Sequence, residues 1–241
     1  MNYWQLSRSP RYSVLFAAPL LLAYEISARI LTHGDAGVRN GADVMLKSLF
    51  VWLGGRDGIL VFDVLLAAVG AALIWRDRRA GGAPLRWAVF ALMLAEAVVL
   101  AVAFGFVASL LTALILNGPS ILAIQGAAAF DVPTQMMVSL GAGIYEELLF
   151  RVLIVSGLVA LARRAFGWSP WRSNAFAVVV GAVVFSAFHY IGPYGDPLQL
   201  PSFVFRTVAG LLFSGLYVLR GYGITAWTHS LYDIFLTIAT R

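Results

Sequence analysis

The 241-residue chain is 61% hydrophobic and only 12% charged, contains no cysteine and carries a formal net charge of +5; its mean hydropathy is +0.84. Soluble domains carry about 25% charged residues, so the composition excludes an ordinary soluble fold and reads as a polytopic membrane protein. The absence of cysteine excludes disulfides, thiolate nucleophiles, iron–sulfur clusters and cysteine-ligated zinc, leaving Glu, Asp and His for chemistry. The positive charge comes from sixteen arginines and one lysine set beside the apolar runs. That is the pattern of topology signals rather than of nucleic-acid binding.

Apolar runs predict an all-α transmembrane helix bundle of about seven spans (six to eight), at residues 12–31, 59–75, 86–116, 134–161, 174–191, 202–219 and 224–240. Each is near the ~20 residues that cross ~30 Å of hydrocarbon, and helices satisfy their own backbone groups in lipid. The first run is long and carries Tyr24 and Glu25 with no small-residue cleavage site, so it reads as a retained helix. Between the first two spans, residues 40–55 interleave Val44, Leu46, Leu49, Phe50 and Leu53 with Asp43, Lys47 and Ser48. That spacing suits either an interfacial helix or a loop packed on the bundle. The third run is overlong, which implies tilt or an early end near Ser109. Residues 192–197, Gly-Pro-Tyr-Gly-Asp-Pro, form a turn-rich connection, with a lip over a site near His189 as the functional reading.

An N-in, C-out arrangement places ten basic residues inside (Arg8, Arg11, Arg76, Arg78, Arg79, Arg86, Arg163, Arg164, Arg172 and Arg220) and five outside (Arg29, Arg39, Lys47, Arg56 and Arg241). With no linker, repeat or low-complexity tract, residues 1–241 read as one integral membrane domain. Arg in place of Lys, with abundant Ala, points to a GC-rich prokaryotic source and thus to its inner membrane.

The chemistry-bearing residues lie inside the apolar runs. Glu146, Glu147 and Arg151 sit in the fourth, His189 near the end of the fifth, and His229 and Asp233 in the seventh. Charges at membrane depth cost several kcal/mol unless paired or used. Glu147 and Arg151 are four apart and share a helical face, so Arg151 neutralises Glu147, while Glu146 points about a quarter-turn away and is free to act as a base. The alternative is a structural ion pair with Glu146 bonded to a polar neighbour. His229 and Asp233 also share a face, so Asp233 either fixes the imidazole tautomer or joins it on a substrate atom. Straight helices place His189 toward the outer face and His229 toward the inner one, so only shifted helix ends or a broken helix would bring them together.

Glu-Glu-x-x-x-Arg at 146–151, Phe-x-x-x-His at 185–189 and His-x-x-x-Asp at 229–233, with Phe205, Arg206 and Gly210 between the last two, resemble the motifs of the CPBP family. This family groups type II CAAX prenyl endopeptidases with bacteriocin-processing, self-immunity and C-terminal sorting relatives. The resemblance covers residues 130–241; residues 1–125 read as variable N-terminal helices. It implies an intramembrane endopeptidase in which Glu146 and His189 activate water, His229 and Asp233 assist at the oxyanion, and Glu147 and Arg151 support the site. Many relatives carry Asn at the last position. An ionised Asp233 cannot donate a hydrogen bond, so it either is protonated or orients His229.

No cofactor is favoured. The metal-dependent alternative assembles Glu146, His189 and His229 around a divalent ion such as zinc, although no His-Glu-x-x-His helix is present. The implied partners are membrane lipid and a membrane-anchored protein or peptide substrate cleaved near its C-terminus, with no nucleic acid. The rival function is a non-enzymatic immunity factor or transporter in which intramembrane Glu, His and Arg line a pathway; Asp63 and Glu96 would then be members, and otherwise face the bundle.

Overall fold

Helix coincides with hydropathy along the chain. The computed structural model describes residues 2–31, 38–118, 130–192 and 195–240, with the backbone alone for Arg56. The elements are α1 (Tyr3–Ser7), α2 (Pro10–Leu31), α3 (Gly41–Gly54), α4 (Gly58–Arg79), α5 (Trp87–Leu116), α6 (Val132–Gly141), α7 (Ser156–Ala165), α8 (Pro170–Phe188), α9 (Leu200–Arg220) and α10 (Tyr222–Ala239). Between α6 and α7 the backbone stays helical but widens into π turns over Ala142–Glu146 and Leu148–Val155. No strand occurs among the described residues.

Five helices (α2, α4, α5, α8 and α9) are long and apolar enough to cross a membrane, and the chain is an integral membrane protein. The other two predicted positions hold the helical run 132–165, interrupted by its π turns, and α10, whose apolar sequence is diluted by Thr, His, Ser and Asp. The predicted early end near Ser109 does not occur: α5 runs through to Leu116, with Ser109 buried. Of residues 40–55, Gly41–Gly54 form the helix α3, which buries Ala42, Asp43, Leu46 and Lys47 against the bundle. Of the 192–197 turn, residues 193 and 194 lie outside the described residues.

Small residues set the closest helix approaches, as expected where lipid removes the hydrophobic drive between helices. A Cβ at Gly143 would lie 2.1 Å from Ser230 Oγ and 2.2 Å from the Ala226 carbonyl oxygen, so the first π turn is pressed onto α10. A Cβ at Gly210 would lie 2.9 Å from Ala182 Cα, which seats α9 on α8. α9 and α10 are joined through Gly221, whose φ of 79° is readily available only to glycine.

Arg220, at the end of α9, is buried. Arg220 Nε and Nη2 donate to Glu96 of α5 at 2.6 and 2.7 Å, and Nη2 also donates to Ser7 Oγ at 2.8 Å. Tyr3 donates to Glu96 as well, and the Arg220 guanidinium lies 3.8 Å from the Trp4 ring centroid. Glu96 therefore faces the bundle as half of an ion pair. Arg220, at the turn between α9 and α10, packs against α1, and His229 on α10 meets the far end of α8. Phe185 near that end has its ring centroid 6.2 Å from that of His229.

Candidate active site

Three segments bring the motif residues together. The π turns widen the helix around Glu146 and Glu147, a local change in winding frequent at functional sites, and Tyr222 braces it by donating to the Ile144 carbonyl at 2.9 Å. α8 ends at Phe188, so His189 is the C-cap. His229 lies on the second turn of α10, stacked on Phe213 at 4.2 Å between centroids, and Phe213 stacks in turn on Phe104 of α5 at 3.9 Å.

Glu147 is fully buried and links the first and third motifs. Its Oε1 accepts from His229 Nδ1 at 2.7 Å, and its Oε2 lies 3.2 Å from Arg151 Nε. The Arg151 contact is a charge pair without aligned hydrogen bonds, since none of the three guanidinium nitrogens has a hydrogen-bond partner among the described residues. Aromatic faces surround the cation instead: its Cζ is 4.5 Å from the Phe185 centroid and 5.5 Å from that of Phe213, a favourable placement over ring quadrupoles. Phe185 thus serves both the arginine and, through its carbonyl, the histidine four residues on.

That carbonyl accepts from His189 Nδ1 at 2.9 Å. A carbonyl cannot donate, so Nδ1 carries hydrogen, and in the neutral ring Nε2 keeps its lone pair. Nε2 points toward Glu146 Oε2, 3.9 Å away. The histidine is held on both flanks: Asp196 N donates to its carbonyl at 3.0 Å, Arg206 pairs with Asp196, and Ser186 Oγ ties α8 to α9 through the Phe203 carbonyl at 2.8 Å.

Glu146 itself is buried. Its Oε1 accepts from Asn40 Nδ2 at 2.8 Å, whereas Oε2 has no hydrogen-bond partner among the described residues. Asn40 was missed from the sequence. Its place before Gly-Ala-Asp marks an N-cap, and its Oδ1 does accept from Ala42 N at 2.9 Å, but nothing local indicates that its amide reaches a carboxylate 106 residues on. Asp233 is half-exposed, with Oδ2 3.7 Å from His229 Nε2. That is too long for a hydrogen bond, so of the two roles expected for Asp233, fixing the imidazole by a hydrogen bond falls to Glu147 instead.

A second polar cluster adjoins the first. Lys47 Nζ contacts Glu25 Oε1 and Asp43 Oδ1 at 2.8 Å each and Asp63 Oδ1 at 3.6 Å, and Tyr145 donates to Glu25 at 2.6 Å. A cavity of about 1040 Å³ between α2 and α4 reaches Glu25, Asp63 and Tyr145 but is not lined by Glu146, His189, His229 or Asp233.

Among the described residues no three His, Asp or Glu side chains converge to hold a metal ion. His229 Nδ1 is bonded to Glu147 and Glu146 Oε1 to Asn40, which leaves Glu146 Oε2 and the Nε2 atoms of both histidines facing the site.

The site thus consists of a buried carboxylate facing an imidazole, backed by a second carboxylate–imidazole pair inside a polytopic helix bundle. Residues 128–235 match the family described as type II CAAX prenyl endopeptidase Rce1-like. This is the CPBP/CAAX protease family that the three motifs resemble, and the match covers the segment that carries all three. No curated protein and no solved structure matches the chain.

Proposed function

We propose that the protein is an endopeptidase of a prokaryotic inner membrane that cleaves a membrane-associated protein or peptide near its C-terminus without a metal. The observation that carries this reading is the bare Glu146 Oε2 set 3.9 Å from the lone-pair nitrogen of His189. The gap is too wide for a direct hydrogen bond and suits one shared water, since ~2.8 Å bonds to both atoms subtend about 90° at its oxygen. Glu146, assisted by His189, takes a proton from that water as its oxygen attacks the scissile carbonyl. The same pair returns the proton to the departing amine as the tetrahedral intermediate collapses.

The developing oxyanion is assigned to His229. With Nδ1–H bonded to Glu147, a protonated ring presents Nε2–H as donor, and the carboxylates of Glu147 and Asp233 on its two sides support that charge. Donors held in a buried site are worth several kcal/mol at a developing charge. Arg151 offsets Glu147 while the His229 ring is neutral, so the pair carries no unmatched negative charge before the ring takes up its proton.

The test is Glu146→Gln, which preserves shape and removes the base. Comparing protein termini in membranes of cells carrying the native or altered chain should show particular cleaved termini falling by ~10²–10⁴-fold in rate while their precursors accumulate. Unchanged termini, with the protein present at native levels, would point to a non-enzymatic role.

A further inference from the structure

We infer that Asn40, the N-cap of α3, is a positioning residue for the Glu146 carboxylate: its amide holds Oε1 in place so that Oε2 is the oxygen presented for proton transfer. This rests on the reading of Glu146 as the base.

The amide orientation is determined by its partners. Oδ1 must be the atom that accepts from the Ala42 backbone N–H at 2.9 Å, because an amide nitrogen there would oppose donor to donor. Nδ2 is therefore the atom 2.8 Å from Glu146 Oε1, and no flip satisfies both contacts. The backbone is equally constrained. Asn40 N donates to Tyr24 Oη at 3.2 Å, Tyr24 donates to Asp43 Oδ2 at 2.7 Å, and Asp43 is gripped by Arg39 at 2.7 Å and Lys47 at 2.8 Å. A Cβ at Gly141 would lie 2.7 Å from Asn40 Cβ and 2.6 Å from Tyr24 Cε2, so α6 packs directly against both residues. Asn40 is 2% exposed. A rigid donor thus meets one oxygen of a carboxylate whose other oxygen faces His189, and the N-terminal helices supply a group that the three motifs lack.

The clean perturbation is Asn40→Ser, with Asn40→Asp beside it, because both side chains can still cap α3 through Ala42 N while neither offers the amide donor. In full-length protein in lipid nanodiscs, thermal unfolding of Asn40→Ser, Glu146→Ala and the double variant tests the contact. The Asn40→Ser shift in midpoint should be clearly smaller when Glu146 is already absent; additive shifts would overturn the inference. In cells, pulse-chase of the precursors identified with Glu146→Gln tests the role. Both Asn40 variants should lower the maximal cleavage rate about 10- to 100-fold, leave the precursor level at half-maximal rate unchanged, and keep the native amount of folded protein. Native rates in these variants, alongside a dead Glu146→Gln, would overturn the positioning role and leave the protease reading standing. Termini unaffected by Glu146→Gln would remove the protease reading, and the inference with it.

Discussion

Gly143→Ala is the smallest change expected to take the candidate site apart. The added Cβ would lie 2.1 Å from Ser230 Oγ, 2.2 Å from the Ala226 carbonyl oxygen and 3.0 Å from Ser230 N. The hydroxyl can rotate away; the carbonyl belongs to α10 and cannot. Bringing that contact to 3.0 Å requires the π turn and α10 to separate by about 0.8 Å. The 2.7 Å bond between Glu147 and His229 crosses the same interface, so the separation stretches it to about 3.5 Å, beyond a useful hydrogen bond. Overpacking of this kind costs about 1–3 kcal/mol, or roughly 2–4 °C in unfolding midpoint per kcal/mol for a chain of this size. Gly157→Ala is the control: nothing lies within 4 Å of its Cβ, and Ala in a helix interior gains about 0.5–1 kcal/mol over Gly. Thermal unfolding in one detergent, paired with the cleaved-termini assay, should place Gly143→Ala below native in both readouts and Gly157→Ala at or above it. A Gly143→Ala protein with native midpoint and native cleavage would refute the argument that this approach holds the first and third motifs together.

Arg151→Met should cost about 3–5 kcal/mol by leaving Glu147 buried beside His229 without its cation, and adding Glu147→Gln should recover part of that loss in chemical unfolding. A loss no smaller in the double variant would show that the arginine acts through its packing on Phe185 and Phe213 alone. Outside the spans, burial and the neighbouring Glu96 carboxylate push the Tyr3 phenol from 10.0 up to about 12. Its neutral form is favoured in the folded state, so this contribution is complete below pH 10 and disappears as pH rises through about 12. Tyr3→Phe should therefore show a shallower alkaline loss of unfolding midpoint than the native chain over that window, and parallel curves would contradict the assignment.

The sequence by itself determined the class of fold and the identity of the polar residues, because both are local properties. Apolar runs long enough to cross a bilayer need no partner to be recognised, and Glu146, Glu147, Arg151, His189, His229 and Asp233 stand out because charge is costly at that depth. The four-residue spacing also anticipated the contact between Glu147 and Arg151, since neighbours on one helical face meet whatever surrounds them. Only the tertiary structure decided the remaining pairings. The same spacing pointed His229 to Asp233, yet its hydrogen bond goes to Glu147, because the Gly143 approach brings α10 closer to the widened helix than Asp233 can reach within its own turn. Depth along straight helices separated His189 from His229, whereas α8 ends at Phe188 and both imidazoles pack against the Phe185 ring. Asn40 caps α3, and its remaining amide nitrogen finds Glu146 only because α3 packs beside the π turns. A spacing rule reads contacts within one element. Which elements touch, and how closely, depends on side-chain volumes summed over several helices at once.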